Sequence, residues 1–115
     1  MGTMQIGEVA EKTQLSLRTI RHYEEVGLVA PSGRSEGGFR LYTQEDVDRL
    51  NRVRRITPLG FSLEETSEIL AIFEGHGSEK LPEFAEQARA GREKLARKLR
   101  QADELIESLQ QLQQP

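Results

Sequence analysis

The chain has 115 residues, 36% apolar and 30% charged, and carries a net charge of −3. That length fits one compact domain, or one domain with an extended helical appendage, and excludes a barrel or a two-domain dinucleotide enzyme. It has no cysteine, which excludes disulfides, thiolate catalysis and sulfur-rich metal sites, and its imidazoles are His22 and His76. No apolar run approaches the roughly 20 residues of a membrane span, and no basic start with an apolar stretch follows Met1. The expectation is a cytoplasmic protein with no membrane contact. Residues 1–60 hold nine Lys/Arg against eight Asp/Glu, and residues 61–115 hold seven against eleven. Overall charge therefore decides nothing about nucleic acid; local placement must.

Residues 6–12 read as a short helix, with Ile6, Val9 and Ala10 on one face. Thr13-Gln14-Leu15 is a break. Ser16 is a good N-cap, because its hydroxyl can accept from a free amide of the next turn. A second helix is expected over Leu17 to Val26, its apolar stripe Leu17, Ile20, Tyr23 and Val26, with Gly27 placed to end it in a left-handed conformation. Two short helices around a tight turn are a helix-turn-helix candidate. The first spans about two turns and needs tertiary support to form.

Pro31-Ser32-Gly33 and Gly37-Gly38 are turn material, and Phe39-Arg40-Leu41 alternates as a strand does. A small β-hairpin here would be a wing, its tip at about Arg34 to Gly38. Thr43-Gln44-Glu45-Asp46 is a capping box opening a third helix, with Val47, Leu50, Val53 and Ile56 as its buried stripe. Pro58 and Gly60 stop it. Ser62-Leu63-Glu64-Glu65 is a second capping box, and the fourth helix runs to about Glu74, burying Leu63, Ile69, Leu70 and Phe73. Gly75 to Ser78 forms a joint.

From Leu81 to Gln113 the pattern is one long helix of about 50 Å. Apolar residues at Ala85, Ala88, Leu95, Leu99, Ala102, Ile106 and Leu109 recur in three- and four-residue steps, widened by Leu105 and Leu112, with Arg92 interrupting one core position. A domain of about 75 residues cannot cover that stripe, so a homodimer is expected. Residues 89–100 hold six bases and one acid, and Asp103, Glu104 and Glu107 follow. An antiparallel pair crossing near residue 97 sets Arg89 by the partner's Glu107 and Arg92 by the partner's Asp103. Such pairs contribute little stability but can select register. The expected fold is thus mainly α: a winged helix-turn-helix head over 4–74, a linker over 75–80 and an antiparallel coiled-coil helix over 81–113. Ala88, Leu95, Leu99, Ala102, Ile106 and Leu109 form the dimer seam.

Three runs carry a family resemblance. Ile6-Gly7-Glu8-Val9-Ala10 through Leu17-Arg18-Thr19-Ile20-Arg21-His22-Tyr23-Glu24 and Gly27-Leu28 resembles the start of a MerR-family transcriptional regulator. Gly37-Gly38-Phe39-Arg40-Leu41-Tyr42 resembles that family's wing, and Leu59-Gly60-Phe61-Ser62-Leu63-Glu64-Glu65 its linker into the fourth helix. The resemblance implies a homodimer on a pseudo-palindromic promoter site in double-stranded DNA. Bending and untwisting of the promoter spacer would let RNA polymerase meet both promoter elements. A twofold protein suits a twofold operator, and shape change needs no new base contacts.

Within that frame Ser16, Arg18, Thr19, Arg21, His22 and Tyr23 are candidate DNA contacts of the second helix. Arg18 and Arg21 can read guanine with paired hydrogen bonds. In isolation a solvated helix face would be the better explanation for them; inside this set of motifs, contact with base or phosphate is. His22 stands where the family often has tyrosine. Tyr23 fits packing with a polar tip. On the wing, Arg34 is a candidate contact at the tip, with solubility of the tip the alternative, and Arg40 and Tyr42 match positions that clamp phosphates, with hairpin packing the alternative for Tyr42. Arg49, Arg52, Arg54 and Arg55 cluster on the third helix, as a solvated face or as phosphate contacts. His76 reads as a loop histidine. No Ser/His/Asp set or carboxylate pair stands out, so neither an enzyme nor a cofactor or metal is expected. The sequence ends at Pro115 directly behind the long helix, which suggests a short member without a large effector domain and leaves any small-molecule effector unassigned. An architectural DNA-binding role without a sensed signal, and a protein-interaction module, are the competing readings.

Overall fold

The computed structural model describes residues 2–114; Met1 and Pro115, the latter bearing on the expected short chain, lie outside the described residues. Helix α1 spans Ile6–Thr13 and buries Val9 and Thr13. Thr13 is a polar residue in the core because its hydroxyl donates to the Val9 carbonyl at 2.8 Å. Gln14 turns the chain with a left-handed φ of 61°, and its side chain donates to the Glu11 carbonyl at 3.1 Å. Helix α2 spans Leu17–Glu25 under the expected Ser16 cap. Gly27 follows at φ 82°, and Leu28 and Val29 drop into the core.

The wing is an antiparallel pair, β1 (Gly33–Arg34) and β2 (Arg40–Leu41), in register Gly33 with Leu41 and Arg34 with Arg40. Its tip therefore lies at Ser35 to Phe39, one residue beyond the expected span, because Arg34 still pairs. Met4 adds an antiparallel bridge to Tyr42, each amide donating to the other's carbonyl at 2.8 Å.

Helix α3 (Gln44–Ile56) opens with the reciprocal Thr43–Asp46 capping box and buries Val47, Leu50, Val53 and Ile56, as its periodicity requires. A 3-10 turn over Thr57–Leu59 and Gly60 at φ 89° redirect the chain. Helix α4 (Leu63–Phe73) opens with the Ser62–Glu65 capping box.

Three expected core residues are not in the core: Leu17, Leu63 and Phe73 are exposed, the last by 59%. Leu17 and Leu63 are the first residues of their helices and Phe73 the last of α4. Periodicity fixes the direction of an apolar face, not how far the neighbouring elements reach along it. In α4 the buried positions are Thr66 and Leu70, and Phe73 instead lies under the Arg52 guanidinium, 4.9 Å from the ring centre.

Helix α5 runs Leu81–Gln113, as its pattern predicts. Its first three turns dock on the chain's own head. Phe84 is buried edge-on against Phe61, ring centres 6.0 Å apart. Ala88, expected on the dimer seam, is half-buried here and shares a groove with Phe84 and Ala85. Gln87 donates to Glu65 at 3.0 Å. Together with the Ser62 backbone amide, the stronger influence, this holds the Glu65 carboxyl below its usual range. Gly91 is the closest approach: a Cβ there would sit 2.5 Å from the Leu59 carbonyl oxygen. Beyond it the helix projects from the head. Leu95, Leu99, Leu105, Ile106, Leu109 and Leu112 are all exposed, Leu99 by 65%, and so is Ala102.

The contact at Gly91 is backbone against backbone, so a methyl cannot be absorbed by a side-chain rotation. Alanine is the better helix former by about 1 kcal/mol, but overpacking costs about 1–3 kcal/mol. Gly91→Ala is expected to lower stability by about 1 kcal/mol in urea unfolding. A gain in stability would show that α5 lifts off the turn without cost.

Candidate nucleic-acid interface

Helix α2 is pinned by Ile20, fully buried, and by Tyr23, half-buried against the core. The Ser16 hydroxyl accepts from the Thr19 amide at 3.0 Å and donates to the Thr19 hydroxyl at 2.8 Å. Both hydroxyls are thus engaged in starting the helix, Thr19 half-buried and Ser16 exposed. Arg18, Arg21 and His22 are exposed on the opposite side of α2 from Ile20. The ring of His22 lies 6.0 Å from that of Tyr23.

The wing tip is closed by main-chain bonds: the Ser35 amide to the Phe39 carbonyl, and the Gly38 amide to the Ser35 carbonyl, both at 2.9 Å. Gly38 sits at φ 82°, a conformation glycine takes without strain. Arg34 donates from Nη1 to the Gly38 carbonyl at 3.0 Å, so part of its guanidinium braces the tip. At the base, Ser32 donates to Asp46 at 2.6 Å. Midway, the Glu24 carboxylate of α2 pairs with Arg40 Nε at 2.9 Å and accepts from the Tyr42 hydroxyl.

That arrangement corrects one expectation. Tyr42 is 0% exposed, and its hydroxyl is spent on Glu24. As placed, it packs the hairpin against the head and presents nothing to a phosphate. Burial first, then the hydrogen bond to Glu24 and that carboxylate's charge, push the phenol well above its ordinary value. Among the described residues Tyr23 has no such partner, and it packs against the core.

Across α2 and the wing, Arg21, Arg34 and Arg40 line one cleft of about 350 Å³, with Glu24 and Glu25 among its other walls. The structure therefore brings together cations from three separate points of the sequence. It also divides the arginines of α3. Arg49 donates from Nε to the Leu28 carbonyl at 2.7 Å and pairs with Glu74, and Arg52 covers Phe73. These two are structural ties, while Arg54 and Arg55 are exposed. Sequence reasoning missed Glu24; the only hint was an acid beside the basic face of α2. It also missed Phe84 and the close approach at Gly91, although Gly91 is the sole glycine of the long helix. His76 is exposed at the joint before α5. Among the described residues no group of three or more His, Cys, Asp or Glu is placed to hold a metal ion, and no helix is long and apolar enough to cross a membrane.

Comparison with known proteins identifies the family. The family model described as MerR HTH family regulatory protein matches residues 4–71, and the one described as MerR, DNA binding, matches residues 47–114. An uncharacterized HTH-type transcriptional regulator of Pseudomonas aeruginosa is 38% identical over 109 residues, covering 95% of this chain and 82% of that protein. HTH-type transcriptional regulator CueR of Salmonella typhimurium is 47% identical over 70 residues, 61% of this chain and 51% of that protein. The chain thus spans about half the length of that relative, and 27% of nodulation protein NolA of Bradyrhizobium elkanii, with which it shares 50% identity over 60 residues. Among solved structures, HiNmlR, a MerR family regulator lacking the sensor domain and bound to promoter DNA, superposes with a TM-score of 0.72 at 27% identity. The match covers 89% of this chain and 80% of that one. The N-terminal part of MtaN, the Bacillus subtilis multidrug transporter activator, gives 0.59 at 29% identity, covering 97% and 99%.

The buried phenol has a pH signature. In the folded chain the Tyr42 phenol is held above its ordinary value of about 10. Its contribution to stability is complete below pH 10 and is lost as the pH rises from there toward the folded value. The wild type should therefore lose stability relative to Tyr42→Phe as the pH rises from about 9 to about 11.5. Urea unfolding of both proteins across that range checks this; parallel curves would contradict it.

Proposed function

The chain belongs to the MerR family of DNA-binding transcriptional regulators, and on that premise we propose that it acts as a homodimer on a pseudo-palindromic promoter site. One observation carries the reading. Arg21, from the exposed basic face of α2, and Arg34 and Arg40 of a braced wing line a single cleft. A helix of this kind suits a major groove, and a wing beside it suits the flanking backbone. We assign base or phosphate contact to Arg18, Arg21 and His22, with Thr19 and Ser16 at the helix start, and backbone contact to Arg34 and Arg40. Tyr23 supports α2 from behind and offers its hydroxyl to the DNA backbone.

The second component is the dimer. Six large apolar side chains of α5 from Leu95 onward are open to water, a stripe too long for the head to cover. A second α5, antiparallel, buries the seam of Leu95, Leu99, Ala102, Ile106 and Leu109. It also sets each basic segment against the partner's acidic one. Two heads held at a fixed separation read half-sites about one or more helical turns apart. In this proposal residues 4–74 are the DNA-binding head, 75–80 the joint and 81–113 the dimerisation helix. Distortion of the spacer between half-sites then changes how RNA polymerase meets the promoter in the cytoplasm. The likeness to a regulator that lacks its sensor domain and is bound to promoter DNA supports this reading.

Two experiments test it. Footprinting on genomic fragments selected by the protein itself should protect an inverted repeat within a promoter spacer; protection without a shared sequence would favour an architectural role. On the selected site, Arg18→Ala or Arg21→Ala should cost about 1–3 kcal/mol if the residue reads a base. An equal loss on random DNA would reduce it to a phosphate contact. The antiparallel pairing is tested separately. Exchanging charge at Arg89, Arg92, Asp103 and Glu107 together should leave the dimer intact in sedimentation. A monomer after the fourfold exchange would refute this register.

A further inference from the structure

We propose that Glu24 is a positioning residue, which holds Arg40 and the wing in the pose from which Arg40 meets the DNA backbone. The proposal rests on the DNA-binding reading above and deepens it. Glu24 lies on α2 with its side chain only 11% exposed. Its two oxygens are used by two wing residues: Oε1 accepts from the Tyr42 hydroxyl and Oε2 pairs with Arg40 Nε at 2.9 Å. Tyr42 is a fixed anchor, being fully buried with both main-chain groups bonded to Met4. The carboxylate is therefore held by an immobile phenol on one side. On the other it grips an arginine whose side chain is still 37% exposed.

Two opposite roles follow from an acid in a DNA-facing cleft. As a neutraliser, Glu24 would weaken binding, with Glu25 adding its repulsion from the same cleft. As a positioner, it would strengthen binding. The geometry points to the second. Each oxygen is engaged by a donor, and the charge is offset by Arg40 in a short, charge-assisted contact. Arginine carries five N–H donors, so the bond from Nε leaves the outer nitrogens free toward the cleft that Arg21 and Arg34 also line. A flexible side chain loses rotamer freedom on meeting a phosphate. Fixing it beforehand removes much of that loss. Among the described residues, Glu24 also supplies the side-chain link from the middle of the wing to α2. The other ties, Ser32 to Asp46 and Met4 to Tyr42, hold the base.

The test measures affinity for the selected site across salt concentrations for the wild type, Glu24→Ala, Glu24→Gln, Arg40→Ala and the double alanine variant. Arg40→Ala should lower the slope of log affinity against log salt by about one unit per protomer. Glu24→Ala should weaken binding about tenfold and lower the slope likewise. The double variant should bind within about twofold of Arg40→Ala, and Glu24→Gln, which keeps an acceptor, should recover part of the loss. Binding by Glu24→Ala at or above wild-type strength would establish the neutraliser instead. Independent, multiplying losses from the two alanines would also overturn the proposal. If Glu24→Ala folds poorly, Tyr42→Phe removes only the anchoring hydroxyl and should give the same pattern with smaller amplitude; an unchanged slope overturns it. A wild type with no sequence-specific retention refutes the DNA-binding reading rather than this one. Amide exchange at Ser35 and Gly38 in the free protein then decides: faster in Glu24→Ala supports the brace, and unchanged rates overturn it.

Discussion

The burial of Tyr42 is the constraint on which the arrangement of the head depends. A phenol removed from water needs a partner for its hydroxyl, and the Glu24 carboxylate supplies it. Meeting that need ties the end of the hairpin to α2, while the main chain of the same residue bonds to Met4. Three segments far apart in sequence thus meet at one side chain. Arg40 joins the same carboxylate, so the arginine that faces outward is oriented by the tyrosine that faces inward. A two-stranded hairpin is marginal alone; this one is held at its base, middle and tip by bonds that are not part of its own ladder.

A second constraint governs the long helix. Phe84 fills a place beside Phe61, and Gly91 permits the helix backbone to lie against the Leu59 carbonyl. These contacts fix where α5 leaves the head, and everything beyond them is committed to water or to another chain. The apolar stripe does not stop where the head does. Near the head Phe84 is buried and Ala88 half-buried within the chain, and the remainder, from Leu95 onward, is open. The same face therefore serves intramolecular docking and, in the proposed dimer, association. The angle of the second depends on the closeness of the first.

Charge is organised locally rather than globally. A chain of net charge −3 presents three arginines around one cleft, with Glu24 and Glu25 also lining it, while several of its acids are engaged in capping boxes and in bonds to specific partners. Asp46 and Glu65 close helix starts, Glu74 binds Arg49, and Glu24 binds Arg40. Basic residues divide in the same way. Arg49 and Arg52 stabilise the head, whereas Arg18 and Arg21 remain exposed.

Most of the element boundaries were legible because they rest on local chemistry. Ser16, Thr43 and Ser62 bond amides three residues ahead, and Gly27 and Gly60 take left-handed backbone that few other residues adopt. The stripe of α3 followed from periodicity alone, as did the full extent of α5. The misjudged residues share one cause. Leu17, Leu63 and Phe73 match their helical faces but lie at the ends of their helices, beyond the cover of the head. Nothing in a single helix records where its neighbour ends. Tyr42, the docking role of Ala88, and the partnerships of Glu24, Arg49 and Arg52 depend on residues up to 38 positions away. The sequence by itself determined the helices, the turns between them and the presence of a basic second helix beside a wing, since caps, glycines and spacing act within a few residues. Only the tertiary structure decided which arginines face outward and which tyrosine is buried, since those outcomes are set by which distant side chains compete for the same space and the same hydrogen bonds.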